Sequence, residues 1–167
     1  MDSDDYYEFD FFSKIKEVVK NESPIKKKML MKRIFEIYGI KEGVKSKKRF
    51  EEIFKAHIPS TEIFVEKDIL WFEKPRYFFN VRKNVNGKER DINLITEPEI
   101  RIGILLVVDT AISISKEDIA KDVANLFNVP KLSAKFKAKT KMLIEELIEK
   151  KYLIDGEKIT LNKEIGI

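Results

Sequence analysis

Residues 100–161 read IRIGILLVVDTAISISKEDIAKDVANLFNVPKLSAKFKAKTKMLIEELIEKKYLIDGEKITL. Apolar residues at helical spacing mark a first helix over Ile100–Val108, followed by a short apolar link, Ile112-Ser113-Ile114. A second helical pattern covers Lys116–Phe127 and is broken by Asn128-Val129-Pro130. A third, laden with lysine, covers Leu132–Lys150, with Leu132, Phe136, Leu143 and Leu147 as its apolar stripe. Tyr152–Leu161 then has the pattern of a hairpin.

The first half of the chain repeats this order. Helical spacing runs over Phe9–Lys20 (Phe11, Phe12, Ile15, Val18, Val19), then over Lys27–Tyr38 with Gly39 as the stop, then over Lys45–His57. Ile63–Phe72 reads as a hairpin turning near Glu66–Asp68. A shift of 89 positions places Ile15 on Ile104, Val19 on Val108, Ile25 on Ile114 and Leu30 on Ile119. The same shift places Ile34 on Val123, Tyr38 on Phe127, Ile40 on Val129 and Phe54 on Leu143. A slip of one residue then sets Phe64 on Ile154, Ile69 on Ile159 and Trp71 on Leu161. Apolar positions and helix breakers agree in order, which is an internal repeat.

Three helices closed by a two-stranded wing make a winged helix, whose second and third helices form a helix-turn-helix. The expected fold is α+β, mainly helical, with two tandem winged-helix units at residues 1–74 and 96–167. A β-hairpin linker is expected over 75–95, where Phe78-Phe79-Asn80-Val81 and Ile92-Asn93-Leu94-Ile95 flank the turn pair Asn86-Gly87. Thr96-Glu97-Pro98-Glu99 has the form of a capping box opening the second unit, and Ser115–Asp118 has a looser version. The acids of Met1–Glu8 suit the positive end of the first helix.

Composition narrows the function classes. Hydrophobic residues make up 43% of the chain and charged residues 37%, enough apolar material for cores under a charged shell. The net charge of +4 leans toward acidic partners, but 29 acids offset 33 bases, so a basic surface must be local. Cysteine is absent and His57 is the lone histidine, which removes thiolate nucleophiles, disulfides and His/Cys metal clusters. The apolar runs are too short for a membrane span, and a cytoplasmic, cofactor-free protein is expected. Glu51-Glu52 and Glu145-Glu146 do not make acid–base pairs, because neighbouring residues point about 100° apart on a helix. No enzyme activity is expected, and His57 is expected to pack or cap.

The chain resembles a known family on residues spread along most of its length. They are Ile15-Lys16-Glu17-Val18-Val19, Ser23-Pro24-Ile25, Leu30, Arg33-Ile34, Tyr38-Gly39-Ile40, Ser46-Lys47 and Leu70-Trp71 in the first half. Arg82, Lys88-Glu89-Arg90 and Ile95-Thr96-Glu97-Pro98-Glu99-Ile100 continue them. The chain is similar here to domain of unknown function 3320, found near the C-terminal end of very large superfamily-1 DNA helicases. Those helicases often also carry a nuclease domain of the very-short-patch-repair type. The resemblance implies a helicase-associated module in repair or defence, either part of such a helicase or a separate subunit. Where the family usually has arginine in its third helices, this chain has Ser46-Lys47-Lys48 and Ala134-Lys135-Phe136-Lys137. Lysine attracts phosphate but lacks the planar fork that reads a guanine edge. A Gly-rich loop followed by Lys-Ser/Thr is absent, so ATP is not an expected ligand.

The basic residues carry the functional expectation. Lys131, Lys135 and Lys139 recur every four residues and predict a cationic ridge, with Lys137 and Lys141 on its flank. In a helix-turn-helix the N-terminal half of the second helix enters the major groove, and these lysines fall there. Lys45, Lys47, Lys48 and Arg49 repeat the arrangement in the first unit, although Glu51 and Glu52 can pair there with Lys55 and Lys48. Lys67 and Lys158 on the wings could reach an adjacent backbone. Trp71 is expected beneath its wing.

The expected function is non-catalytic binding of duplex or forked DNA through phosphates, with low sequence specificity, beside a helicase or nuclease. The alternative is a protein-interaction module that docks to such a helicase or nuclease without touching DNA.

Overall fold

Residues 3–72, 81 and 90–164 are described in the computed structural model, without the side chains of residues 3–9 and 60. The chain is α+β and mainly helical, and it divides into two units, Met1–Tyr77 and Phe78–Ile167.

The first unit holds helices α1 (Ser3–Glu22), α2 (Lys27–Ile37) and α3 (Val44–His57), with one short strand between α1 and α2 and two after α3. Strand β1 (Ile25–Lys26) pairs with β3 (Ile69–Phe72), and β3 pairs with β2 (Ile63–Glu66), all antiparallel. The sheet therefore begins between two helices and ends in the hairpin that closes the unit. Ile15, Val19, Ile25, Leu30, Ile34, Phe50 and Leu70 expose no surface at all. Phe50 sits among aromatic neighbours, edge-on to Phe11 and Phe35 and stacked on Phe54 at 5.8 Å. His57, the last residue of α3, stacks on Phe12 at 4.8 Å and is a packing residue. Trp71, in β3 of the hairpin, is buried.

The second unit holds α4 (Glu97–Ala111), α5 (Lys116–Leu126), α6 (Ala134–Glu149), β4 (Leu153–Ile154) and β5 (Thr160–Leu161). β4 and β5 pair antiparallel, and Ile114 bridges to Ile159, so the link between α4 and α5 joins the hairpin as β1 does in the first unit. Its core runs through Ile95, Ile100, Ile104, Val108, Ile119, Val123, Phe127, Phe136 and Leu143. Thr96 opens α4 with the expected capping box: its hydroxyl accepts from the Glu99 N–H, and Glu99 accepts from the Thr96 N–H at 3.0 Å. Ser115 caps α5 through the Asp118 N–H.

The repeat survives in backbone detail. A shift of 89 carries α2 onto α5 end to end. Each is followed by a left-handed residue, Gly39 (φ 62°) and Asn128 (φ 53°). Each then closes with a long backward bond, Ile40 N–H to Phe35 O at 2.8 Å and Val129 N–H to Ala124 O at 2.9 Å. Left-handed C-termini with this bond favour glycine and asparagine, which tolerate positive φ, although α6 ends the same way at Lys151 (φ 63°). Ile40 and Val129 differ in burial, 36% against 9% exposed, so that pair of the repeat is shared in backbone but not in packing.

Three expectations need correction. The expected slip in the wing applies to its first strand only. Ile63 and Leu153 are both buried, 90 positions apart, whereas Leu70 and Ile159 oppose Ile25 and Ile114 with the full shift of 89. Ile159 thus matches Leu70 and not Ile69. The second correction is Ile92–Leu94, which forms a 3-10 turn and not a strand. The Asp91 side chain accepts the Asn93 N–H at 2.9 Å and Leu94 N–H bonds to Asp91 O, a local ring that competes with strand pairing. Leu94 and Ile95 are buried and Val81 packs on the second core, so these residues belong to the second unit. The rest of the expected linker hairpin, Phe78–Asn80 and Asn86-Gly87, lies outside the described residues. Thirdly, the last long helix starts at Ala134, because the Ser133 hydroxyl caps it through the Phe136 N–H.

Candidate nucleic-acid interface

The two candidate helices differ in what their lysines touch. On α3, Phe50, Ile53 and Phe54 face the core and the basic residues face outward. Lys47 pairs with Glu42 at 2.8 Å, and Lys48 and Arg49 approach Glu52 at 3.9 and 3.8 Å. Glu51 reaches back to Lys27, which also lies over the Phe54 ring at 4.7 Å, and so is not the partner of Lys55. The Lys47 ammonium holds the Glu42 carboxyl below its ordinary value, with Lys32 and Lys28 adding to the pull. Of the four basic residues expected to act on α3, Lys45 alone makes no ion pair among the described residues. The first-unit helix is therefore largely neutralised by its own acids.

On α6 the core face is Phe136, Thr140, Leu143, Ile144 and Leu147. The expected ridge Lys131–Lys135–Lys139 does not form as one exposed rod. Lys131 sits in the bend before the helix, exposed but off its surface. Lys139 is half-buried and bonds to Glu97 at 3.3 Å, and Glu97 is also near Arg101 at 3.9 Å. Lys135 is exposed and reaches the neutral amide oxygen of Asn93 at 3.4 Å. Glu97 and Asn93 come from the segment that opens α4, more than forty residues earlier in sequence, as the two helices pack together.

Lys137 and Lys141, expected only as a flank, are exposed and make no ion pair among the described residues. Lys131 is likewise unpaired there. Lys137 and Lys141 are one turn apart, so their charges repel, at a cost of roughly 0.2–0.5 kcal/mol in an isolated helix. The acids further along are committed elsewhere: Glu145 to Lys116 at 3.2 Å, and Glu146 to Arg101 at 2.8 Å and Lys150 at 2.6 Å. On the hairpins, Lys67 occupies the first turn with φ 56° and Lys158 the second; both are exposed and unpaired among the described residues.

Of the lysines expected to act, Lys45, Lys67, Lys131, Lys137, Lys141 and Lys158 thus make no ion pair among the described residues, and Lys135 is held only by a neutral partner. Those of the second unit can hold phosphate oxygens as point charges. Among the described residues there is no group of three or more His, Cys, Asp or Glu placed to bind a metal ion. Among the same residues no helix is long and apolar enough to cross a membrane. Sequence reasoning missed Asn93 and Glu97 as modifiers of the site, and no local pattern could have signalled them.

Comparison with protein-family models, curated proteins and solved structures finds no match to this chain.

Proposed function

We propose that this chain is a pair of winged-helix units that binds duplex or forked DNA through phosphate contacts, led by α6 of the second unit. The reading rests on one observation: Lys137 and Lys141 stand exposed on α6, one turn apart, with no carboxylate pairing either among the described residues. The order helix, short strand or bridge, helix, helix, hairpin supports the winged-helix reading, in which α6 would be the recognition helix. Lys131 and Lys158 would extend the contact to either side, while the acids around α3 give the first unit a weaker role. The family resemblance supports a place beside a helicase or nuclease in repair or defence, without catalysis by this chain.

Gel retardation of a short duplex at low salt tests the reading. Binding should be strongly weakened in Lys137→Glu/Lys141→Glu and nearly kept in Lys47→Glu/Lys48→Glu. Equal loss in both variants would remove the assignment to α6.

One observation favours the second reading, a docking module for a protein partner. Leu106, 41% exposed, lines a shallow depression with Val107, Ala111 and Leu126, which Thr110, Asp122 and Asn125 also border, and Ile112, one residue beyond Ala111, is 78% exposed. Ile112 also holds a left-handed φ of 65°, unusual for a β-branched residue. In that case Ile112→Asp would abolish co-purification with a helicase or nuclease and leave the lysine variants without effect.

A further inference from the structure

Between its lysines, the outward face of α6 is apolar. Ala134, Ala138 and Met142 recur every four residues on the side away from Phe136, Leu143 and Leu147. All three are exposed, Met142 by 53% of its surface, so the core makes no demand on them. At 100° per residue, Lys135 lies on one side of this strip and Lys137 and Lys141 on the other. The strip is narrow, small and bordered by positive charge on both sides.

The residue types from Ala134 to Met142 are only Ala, Lys, Phe, Thr and Met, and Phe136 and Thr140 are buried. The stretch holds no arginine to grip a guanine edge and no asparagine or glutamine to grip adenine. With lysines spent on phosphates, apolar contact is what the strip can offer to a base. The major groove presents one apolar group, the C5-methyl of thymine, and alanine is among the side chains that meet it. A helix about 10–12 Å across enters a groove about 12 Å wide, and two alanines let its backbone approach the floor.

We propose that α6 recognises the thymine methyl group, so that the second unit prefers duplex DNA rich in A·T pairs over the same duplex lacking that methyl. The inference rests on the DNA reading above and adds the chemical feature that is read. It does not extend to α3, whose exposed face carries Lys48, Glu52 and Lys55. A carboxylate there would meet the acceptor oxygens of thymine and the phosphates unfavourably.

The test compares two A·T duplexes of about two turns, roughly 20 base pairs, identical except that uracil replaces thymine in one. Binding of the full chain is followed by fluorescence anisotropy at about 50 mM salt. Each buried methyl is worth about fourfold in affinity, so the thymine duplex should bind about four- to sixteenfold tighter. The ratio should fall to near one in Ala138→Gln, a good helix former at an exposed position. Equal affinity for the two duplexes, with salt-sensitive binding intact, would overturn the methyl recognition and leave backbone binding standing. Failure to bind either duplex would overturn both, and a ratio unmoved by Ala138→Gln would overturn the assignment to this strip.

Discussion

Arg90 Nη2 stands 3.1 Å from Oε1 of Glu99, a carboxylate with no exposed surface. The other oxygen of Glu99 accepts from both the N–H and the hydroxyl of Thr96 at 3.0 Å. Arg90 also lies over the Phe127 ring at 5.3 Å, and its N–H bonds to Asn128 O. A single residue ahead of α4 therefore ties the helix start to the end of α5.

Removing one partner of such a pair leaves a buried charge unpaired. Arg90→Ala should destabilise the second unit by about 3–5 kcal/mol. Removing both charges while keeping an acceptor for Thr96, Arg90→Met with Glu99→Gln, should recover most of that loss. Urea unfolding of the three proteins checks it, and a double variant no better than the single one would contradict it.

Gly103 is where a side chain is missing for a reason. A Cβ there would stand 2.9 Å from Cε2 of Phe127, whose ring is 1% exposed. Helix propensity alone favours Gly→Ala by about 1 kcal/mol. Overpacking costs typically about 1–3 kcal/mol. Gly103→Ala should therefore lower the melting temperature, and Phe127→Leu should relieve the clash in the double variant. A raised melting temperature in Gly103→Ala would show that the ring has room to move.

Acid should weaken the second unit through Glu146. The Lys150 ammonium, and then the Arg101 guanidinium, hold its carboxyl below the ordinary carboxylate value. A depressed folded value contributes stability above the unfolded value of about 4.3 and loses it as pH falls through the folded one. Glu146→Gln should flatten the fall in melting temperature below about pH 4.3. Parallel pH profiles for wild type and variant would mean that the contact is fully screened.

The helix ends of the repeat make a matched experiment. Gly39→Ala places a Cβ at φ 62° with nothing nearby to hinder it, so its cost is conformational alone, about 1–2 kcal/mol. Gly39→Asn, the residue its counterpart Asn128 already supplies, should cost less. Denaturant midpoints rank the three, and an alanine variant as stable as asparagine would refute the shared cap.

Sequence carried the local parts of this structure. The Thr96–Glu99 box, the stop at Gly39 and the matching stop at Asn128 are set within a few residues, and the spacing of Ile15, Val19, Leu30 and Ile34 already told the core face. Contacts between distant segments were not legible. Lys139 finds Glu97 and Lys135 finds Asn93 because α4 packs on α6, and neither helix announces that neighbour. Ile92–Leu94 misled because apolar alternation also suits a 3-10 turn whose ends are buried. Lysines that look unpaired along one helix can thus be paired across the fold, and the cationic surface moved from Lys139 to Lys137 and Lys141.

Salt titration of duplex binding bears most directly on α6 as a phosphate-binding element. With three to four lysines engaged, the logarithm of the affinity should fall against the logarithm of salt with a slope of about −3 to −4. In Lys137→Glu/Lys141→Glu the slope should shrink by about 2, with the unit still folded by circular dichroism. A slope unchanged by that variant, or no binding by the folded wild-type protein at about 50 mM salt, would contradict the account.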